Sequence, residues 1–319
     1  VSLRELCGAP DGPTRECVGV KETESQTIDQ VSSLWVGHSI GPWERACIQS
    51  FLNLGISYNL YSYDEKLKVP EGTFLLDASA ILSESRVEEN KDQPGTYANF
   101  ADLFRYSLLR KQETVWVDTD IYALRPLKSL HGVVMGFEGL GRVNNAVLGY
   151  PSDSPLAQFL VAECERLTGT GFRWGETGPE LVTRGVAKFN LWQLVQLQET
   201  FYPFPWRQAW RVFSTEETER LTREINSSSA VHLWNEALRN SGAQVKQTKP
   251  QFGTLADMLL QKAQQNKQES LSTPFDTDSF KQWKLGLDPD DQARRVSFAI
   301  MRRIQKAPQP FAGLINRLA

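Results

Sequence analysis

"FADLFRYSLLRKQETVWVDTDIYALRPL", Phe100 to Leu127, joins a helical pattern to a short β-prone run that ends in two carboxylates. Tyr97, Phe100, Phe104, Ser107 and Leu108 share one helical stripe, with Leu103 beside them. A turn leads into Val115-Trp116-Val117, a β-branched and aromatic run, and then to Asp118 and Asp120. Helix, turn, strand and acidic end is the α/β order in which ligands collect beyond the carboxyl ends of parallel strands. If the strand continues through both acids, residues i and i+2 point to one side and the two carboxylates converge on one cation. Their oxygens suit Mn2+ or Mg2+, with a substrate diphosphate completing the shell. The same tripeptide at Asp276-Thr277-Asp278 follows Pro274 with no apolar strand ahead of it, and reads as a turn.

Outward from this segment the pattern stays α/β. "VSSLWVGHS" from Val31 is a first strand, "GPWERACIQSFLNLG" a helix with Gly55 as its stop, and "SYNLYSYD" a second strand. Downstream, "GVVMGFE" and "NNAVLGY" read as strands and "SPLAQFLVAECERL" as a helix. Residues 1–30 form a polar, turn-rich extension, 31–245 the main α/β domain, and 246–319 a mainly helical appendage that begins where Gln, Lys, Ser and Thr accumulate. The appendage closes in the basic stretch "ARRVSFAIMRRIQKAPQPFAGLINRL". That stretch is read first as a helix packed on the domain, and second as a peripheral membrane contact.

A hydrophobic content of 40% over 319 residues supports a large core and excludes a wholly disordered chain. The net charge of −3 leaves no basic excess for neutralising phosphates, so nucleic acid is not an expected partner. Cys7, Cys17, Cys47 and Cys164 lack zinc-ligand spacing and disulfide-scaffold density. Incidental cysteines in a reduced cytosolic protein are the first reading, and a Cys7–Cys17 pair in an oxidising compartment the second. No stretch approaches the roughly 20 apolar residues of a membrane span, and a chain that starts at Val1 leaves room for a leader or anchor before it.

Asp102 and Arg105 stand three apart on the helix that precedes the acidic strand, an ordinary ion-pair spacing on its own. Asp-x-x-Arg, the intervening helix, an aromatic before Asp-x-Asp and the trailing Leu-x-Pro-Leu together resemble the Asp-x-Asp segment of family 32-type glycosyltransferases. That group includes yeast Golgi initiating mannosyltransferases and bacterial capsule enzymes, and is related to the catalytic domains of clostridial glucosylating toxins. "LWVGHS", "YSYDE", "NNAVLGY", "TGPELVT" and "VHLWN" are similar to further family elements, over roughly Val31 to Leu238. The family's usual Gly-Gly turn before the strand is replaced here by "KQET".

The resemblance implies a GT-A type, Rossmann-like nucleotide-sugar-binding domain that transfers a hexose with retention of configuration. Asp120 would bind the metal directly, Asp118 would contact ribose or the metal through water, and His232 would be a further ligand to Mn2+ or Mg2+. Trp234 would donate its indole N–H to the diphosphate. Asp102, Arg105, and Asn144 or Asn145 would hold the sugar; Trp35, Val36 and Tyr61 the base or ribose; Gly178 and Pro179 would lie near the acceptor. The donor would be a UDP-sugar or, alternatively, GDP-mannose, and the acceptor a glycan or another hydroxyl. A bacterial chain of this kind would be cytoplasmic or membrane-peripheral, and a eukaryotic one that has lost an anchor would lie in the Golgi lumen. Two rivals share parts of the pattern: a non-catalytic sugar-nucleotide or glycan-binding protein of the same fold, and a phosphatase of the haloacid-dehalogenase type.

Overall fold

The computed structural model describes residues 25–89, 97–170, 175–240 and 249–264. Cys7, Cys17, the Asp276 tripeptide and the basic C-terminal stretch lie outside the described residues. The chain forms β1 (Ser25–Thr27), β2 (Gln30–Trp35), α1 (Pro42–Leu52), β3 (Ser57–Ser62) and β4 (Thr73–Asp77). It continues through α2 (Ser85–Glu89), α3 (Ala98–Lys111), β5 (Val115–Val117), β6 (Ile121–Ala123), β7 (Lys128–Leu130), β8 (Val134–Gly139) and β9 (Arg142–Gly149). Then come α4 (Pro155–Thr170), α5 (Pro179–Lys188), α6 (Gln198–Phe201), α7 (Thr215–Glu224), β10 (Ala230–His232), α8 (Asn235–Asn240) and α9 (Leu255–Gln264). β1, ahead of Val31, pairs antiparallel with β7.

Six strands make the central sheet, in the order β4-β3-β2-β5-β9-β8. β4, β3, β2 and β5 are parallel, and β9 and β8 join antiparallel. The expected α/β class, with a mostly parallel sheet, is what forms. The chain winds outward from β2 through β3 to β4, then returns to place β5 on the other side of β2. This reversal makes β2 and β5 the topological switch point, where open α/β sheets hold ligands at the carboxyl ends of their strands.

Pleating sends alternate side chains of β5 into two cores. Val115 and Val117 join Trp43, Phe51, Tyr122, Tyr202 and Trp210 on one face. Trp116 joins Phe100, Phe104, Tyr106, Leu160 and Leu181 on the other. Each buried Phe contributes about 1.5–3 kcal/mol by leaving water, so the aromatic stripe of α3 is enough to seat that helix firmly on the sheet. Helix α9 belongs to the first core through Leu255, Ala256, Leu259 and Leu260, and the Tyr122 hydroxyl donates to Leu259 O at 3.0 Å. At the end of α1, Gly55 adopts φ +74°, a conformation an L side chain resists. Among the described residues no helix is long and apolar enough to cross a membrane.

Candidate active site

Asp118 directly follows β5, but the strand does not run on through Asp120. Ile121 N donates to Asp118 O at 3.0 Å and closes a turn. The acids therefore converge through a turn rather than through the pleat that the sequence suggested. After the turn, β6 pairs antiparallel with β10, with Ile121 opposite His232. That pairing carries the imidazole to the acidic pair across more than a hundred residues of chain. His232 Nε2 lies 3.2 Å from Asp120 Oδ2. Ligand-type atoms of Asp118, Asp120 and His232 all lie within 4.8 Å of one another.

Asp120 and His232 are buried, and Asp118 is half-buried. Burial pushes the His232 imidazole toward neutrality, but Asp120, with Asp118 and Glu138 behind it, outweighs burial and raises its proton affinity above the ordinary value. His232 Nδ1 is buried with no hydrogen-bond partner among the described residues. Two hard carboxylates and one imidazole, whose Nδ1 has no partner among the described residues, form a donor set that fits Mn2+ or Mg2+. An ordinary polar turn would not need to bury this much like charge.

Asp118 is also held from the other core. Its Oδ1 accepts from Trp116 Nε1 at 2.6 Å and lies 3.0 Å from Arg105 Nη2. Arg105 is buried, donates through Nη1 to Asn145 O at 2.6 Å, and lies with Cζ 4.9 Å from the Trp116 ring centroid. Burial would lower its proton affinity, but Asp118 and Asp102 more than reverse this, so the guanidinium remains charged. Asp102 accepts from Asn145 Nδ2 at 2.7 Å and from Thr177 Oγ1 at 2.8 Å. Burial raises the Asp102 carboxyl above its usual range, while Arg105 and Thr177 pull it back. The pair suggested by helical spacing is thus a buried unit that joins α3, β5, β9 and the turn before α5.

Asn144 and Asn145, adjacent in β9, serve opposite faces. Asn145 reaches Asp102; Asn144 donates to Glu138 through Nδ2 and accepts from Ala146 N at 2.7 Å. Gly178 lies against the first unit: a Cβ there would sit 3.1 Å from Asp102 Oδ2 and 3.3 Å from Asn145 Nδ2. Pro179 is the first residue of α5. Trp35 and Val36 lie at the carboxyl end of β2, beside β5, and Trp35 Nε1 has no hydrogen-bond partner among the described residues. Tyr61 is placed in the core, edge-on to Phe104, with its hydroxyl donating to Gln112 Oε1 at 3.0 Å. Trp234 stacks on His232 with ring centroids 3.9 Å apart, but its Nε1 donates to Phe204 O at 3.2 Å. The indole donor expected for a diphosphate is therefore engaged with a backbone carbonyl, and in this arrangement Trp234 braces the imidazole.

Four participants carried no signal of their own in the sequence. Glu138 is a buried carboxylate paired with Arg142 Nε at 2.7 Å. Thr177 stands next to the Gly178-Pro179 pair, Asn235 follows "VHLW", and Glu44 hides in the amphipathic pattern of α1. Thr177 and Asn235 stand inside the family-like elements "TGPELVT" and "VHLWN", but only their neighbours were given roles there.

Comparison with known proteins meets this geometry from the downstream side. Residues 152–258 match the family model described as the alpha 1,4-glycosyltransferase conserved region. This region includes Thr177, Gly178, His232 and Trp234, while the Asp-x-Asp segment lies ahead of it. Over 170 residues the chain is 28% identical to the lactosylceramide 4-alpha-galactosyltransferase of Mus musculus, covering 49% of this chain and 45% of that protein. Over 151 residues it is 24% identical to the alpha-1,4-N-acetylglucosaminyltransferase of Homo sapiens, covering 42% of each. Among solved structures, the PaToxG glycosyltransferase overlays with a TM-score of 0.40 at 10% identity, covering 77% of this chain and 89% of that chain. The chain spans about half the length of the curated relatives it matches. The resemblance to family 32-type glycosyltransferases, centred on the Asp-x-Asp segment and followed to Leu238, is borne out by a family match that overlaps its downstream part.

Proposed function

We propose that this chain is the catalytic domain of a metal-dependent, retaining glycosyltransferase that moves a hexose from a UDP-sugar to a hydroxyl of a glycan acceptor. The observation that carries the proposal is the convergence of Asp118, Asp120 and His232 at the switch point of the sheet, beside the buried Asp102–Arg105–Asn145 unit. Asp120 and His232 would hold the metal, with Asp118 adjacent to it or to the ribose. The metal, when bound, offsets negative charge that develops on the departing diphosphate.

The residues of the chain supply positioning and electrostatics. Arg105 fixes Asp118 and leaves Asp102 a geometry suited to accepting from sugar hydroxyls, while Asn145 adds an amide at the same wall. Trp35 offers an unpartnered N–H at the end of β2 to the base or ribose. Gly178 lets the turn before α5 approach this wall without a side chain between them. Holding donor and acceptor together, rather than a dedicated base, then carries most of the rate.

The names of the similar proteins support a galactose or N-acetylglucosamine donor, here taken as UDP-galactose or UDP-N-acetylglucosamine, and an alpha-linked product at a glycan hydroxyl. Both donors are alpha-linked to the diphosphate, so an alpha product is the retained configuration. The mammalian sources of these proteins favour the Golgi-lumen placement over the bacterial one. The test is release of UDP from each donor with and without Mn2+. Metal-dependent release supports the enzyme; donor binding without release under any acceptor favours the non-catalytic rival.

A further inference from the structure

Glu44 is 1% exposed, in the first turn of α1. A carboxylate near a helix N-terminus is favourable, but removing one from water costs several kcal/mol unless partners replace the solvent. Gly41 gives the carboxylate the space to fold back on the helix start, since a Cβ there would sit 2.5 Å from Glu44 Oε2. One partner is distant in sequence: Asn235 Nδ2 donates to Glu44 Oε1 at 3.2 Å.

Asn235 also reaches the Asp118–Asp120–His232 cluster. Its backbone N–H donates to Asp120 Oδ2 at 2.9 Å, and Leu233 N donates to Asp120 O at 3.0 Å. Between these two donors, Trp234 adopts φ +53°, a left-handed conformation that costs a non-glycine residue of order 1–3 kcal/mol. The strained residue aims both neighbouring N–H groups at one aspartate. Something must hold the far end of that turn, and the Asn235 amide on Glu44 does so.

The geometry points to Asn235 and Glu44 as positioning residues for Asp120: Glu44 anchors the Asn235 side chain, and the anchored backbone N–H orients the carboxylate toward the metal. This inference rests on the metal-dependent reading above. A merely structural role in α1 would leave metal affinity unchanged; positioning changes it.

Mn2+ binding to the full 319-residue chain, followed by calorimetric titration and by the rise in Tm, separates the two. Asn235→Ala and Glu44→Ala are expected to weaken Mn2+ binding about 10–100-fold, the range seen when groups behind metal ligands are removed. Glu44→Gln retains an oxygen acceptor for the Asn235 amide and is expected to bind close to wild type. The double variant Glu44→Ala/Asn235→Ala should be no weaker than the weaker single variant, because both act through one chain of contacts. Asn235→Ser, too short to reach Glu44, gives the same test if Asn235→Ala does not fold. Wild-type affinity in the Asn235 variants, or additive losses in the double variant, would overturn the inference alone. A wild-type chain that does not bind Mn2+ would overturn the metal-dependent reading and this inference with it.

Discussion

Arg105 Nη2 lies 3.0 Å from Asp118 Oδ1, so one buried guanidinium ties the helix before the "KQET" turn to the acidic end of the strand after it. The same side chain reaches Asn145 O and covers the Trp116 ring, which places three elements in fixed relation. Arg105 is central because a planar fork can serve several directions at once, which an ammonium cannot.

Arg105→Ala is therefore expected to cost about 3–5 kcal/mol, because Asp102 and Asp118 are left as unpaired charges. Arg105→Lys should restore part of the stability and little of the donor binding. Urea unfolding and the KM for donor check this; an alanine variant as stable as wild type would contradict it.

Gly178→Ala tests the close approach of the turn before α5 to Asp102 and Asn145. The added methyl would sit 3.1 Å from Asp102 Oδ2, tighter than an ordinary contact, while the backbone there needs no glycine-specific φ. The expected result is a protein of near-normal Tm whose kcat for transfer falls roughly 10–100-fold, the scale of a displacement of up to 1 Å at a positioned site. Unchanged kcat would show that Asp102 can give way without consequence.

Glu138 offers a pH signature. Burial raises its carboxyl above the ordinary value, although Arg142 and Asn144 pull it down. A raised carboxyl means that the folded state binds more protons than the unfolded one, so its contribution to stability is full below about pH 4.3 and is lost as pH rises through the folded value. Glu138→Gln removes this dependence. Relative to wild type, the variant's stability should rise from acid pH toward neutrality; a pH-independent difference in Tm between the two would contradict the assignment.

The parts legible in sequence were those written in local pattern. The stripe of Phe100 and Phe104, the run Val115-Trp116-Val117 and the glycine stop at Gly55 each led to the observed element, because periodicity and backbone preference are short-range properties. β4, "TFLLD", was missed: it lies at the sheet edge and has no clean alternation of apolar and polar residues. The Asp118–Asp120 convergence was right in outcome but differs in cause, because tertiary pairing of β6 with β10 turns the chain after Asp118. His232 could be reached only through family resemblance, since antiparallel pairing over so long a separation leaves no local trace. Glu44 left none, as nothing in a helical stripe marks which carboxylate will be buried against a distant amide, and Asn235 was visible only as the last residue of the family-like "VHLWN".

On the proposed function, Asp118, Asp120 and His232 would make a metal site that drives transfer from a UDP-sugar. The most direct measurement is UDP release from UDP-galactose and UDP-N-acetylglucosamine by wild type and Asp120→Asn, with Mn2+ and with chelator. The account expects Mn2+-dependent release by wild type, abolished by chelator, and a loss of at least about 100-fold in a folded Asp120→Asn protein. A folded Asp120→Asn protein that releases UDP at the wild-type rate, with unchanged dependence on Mn2+, would contradict it.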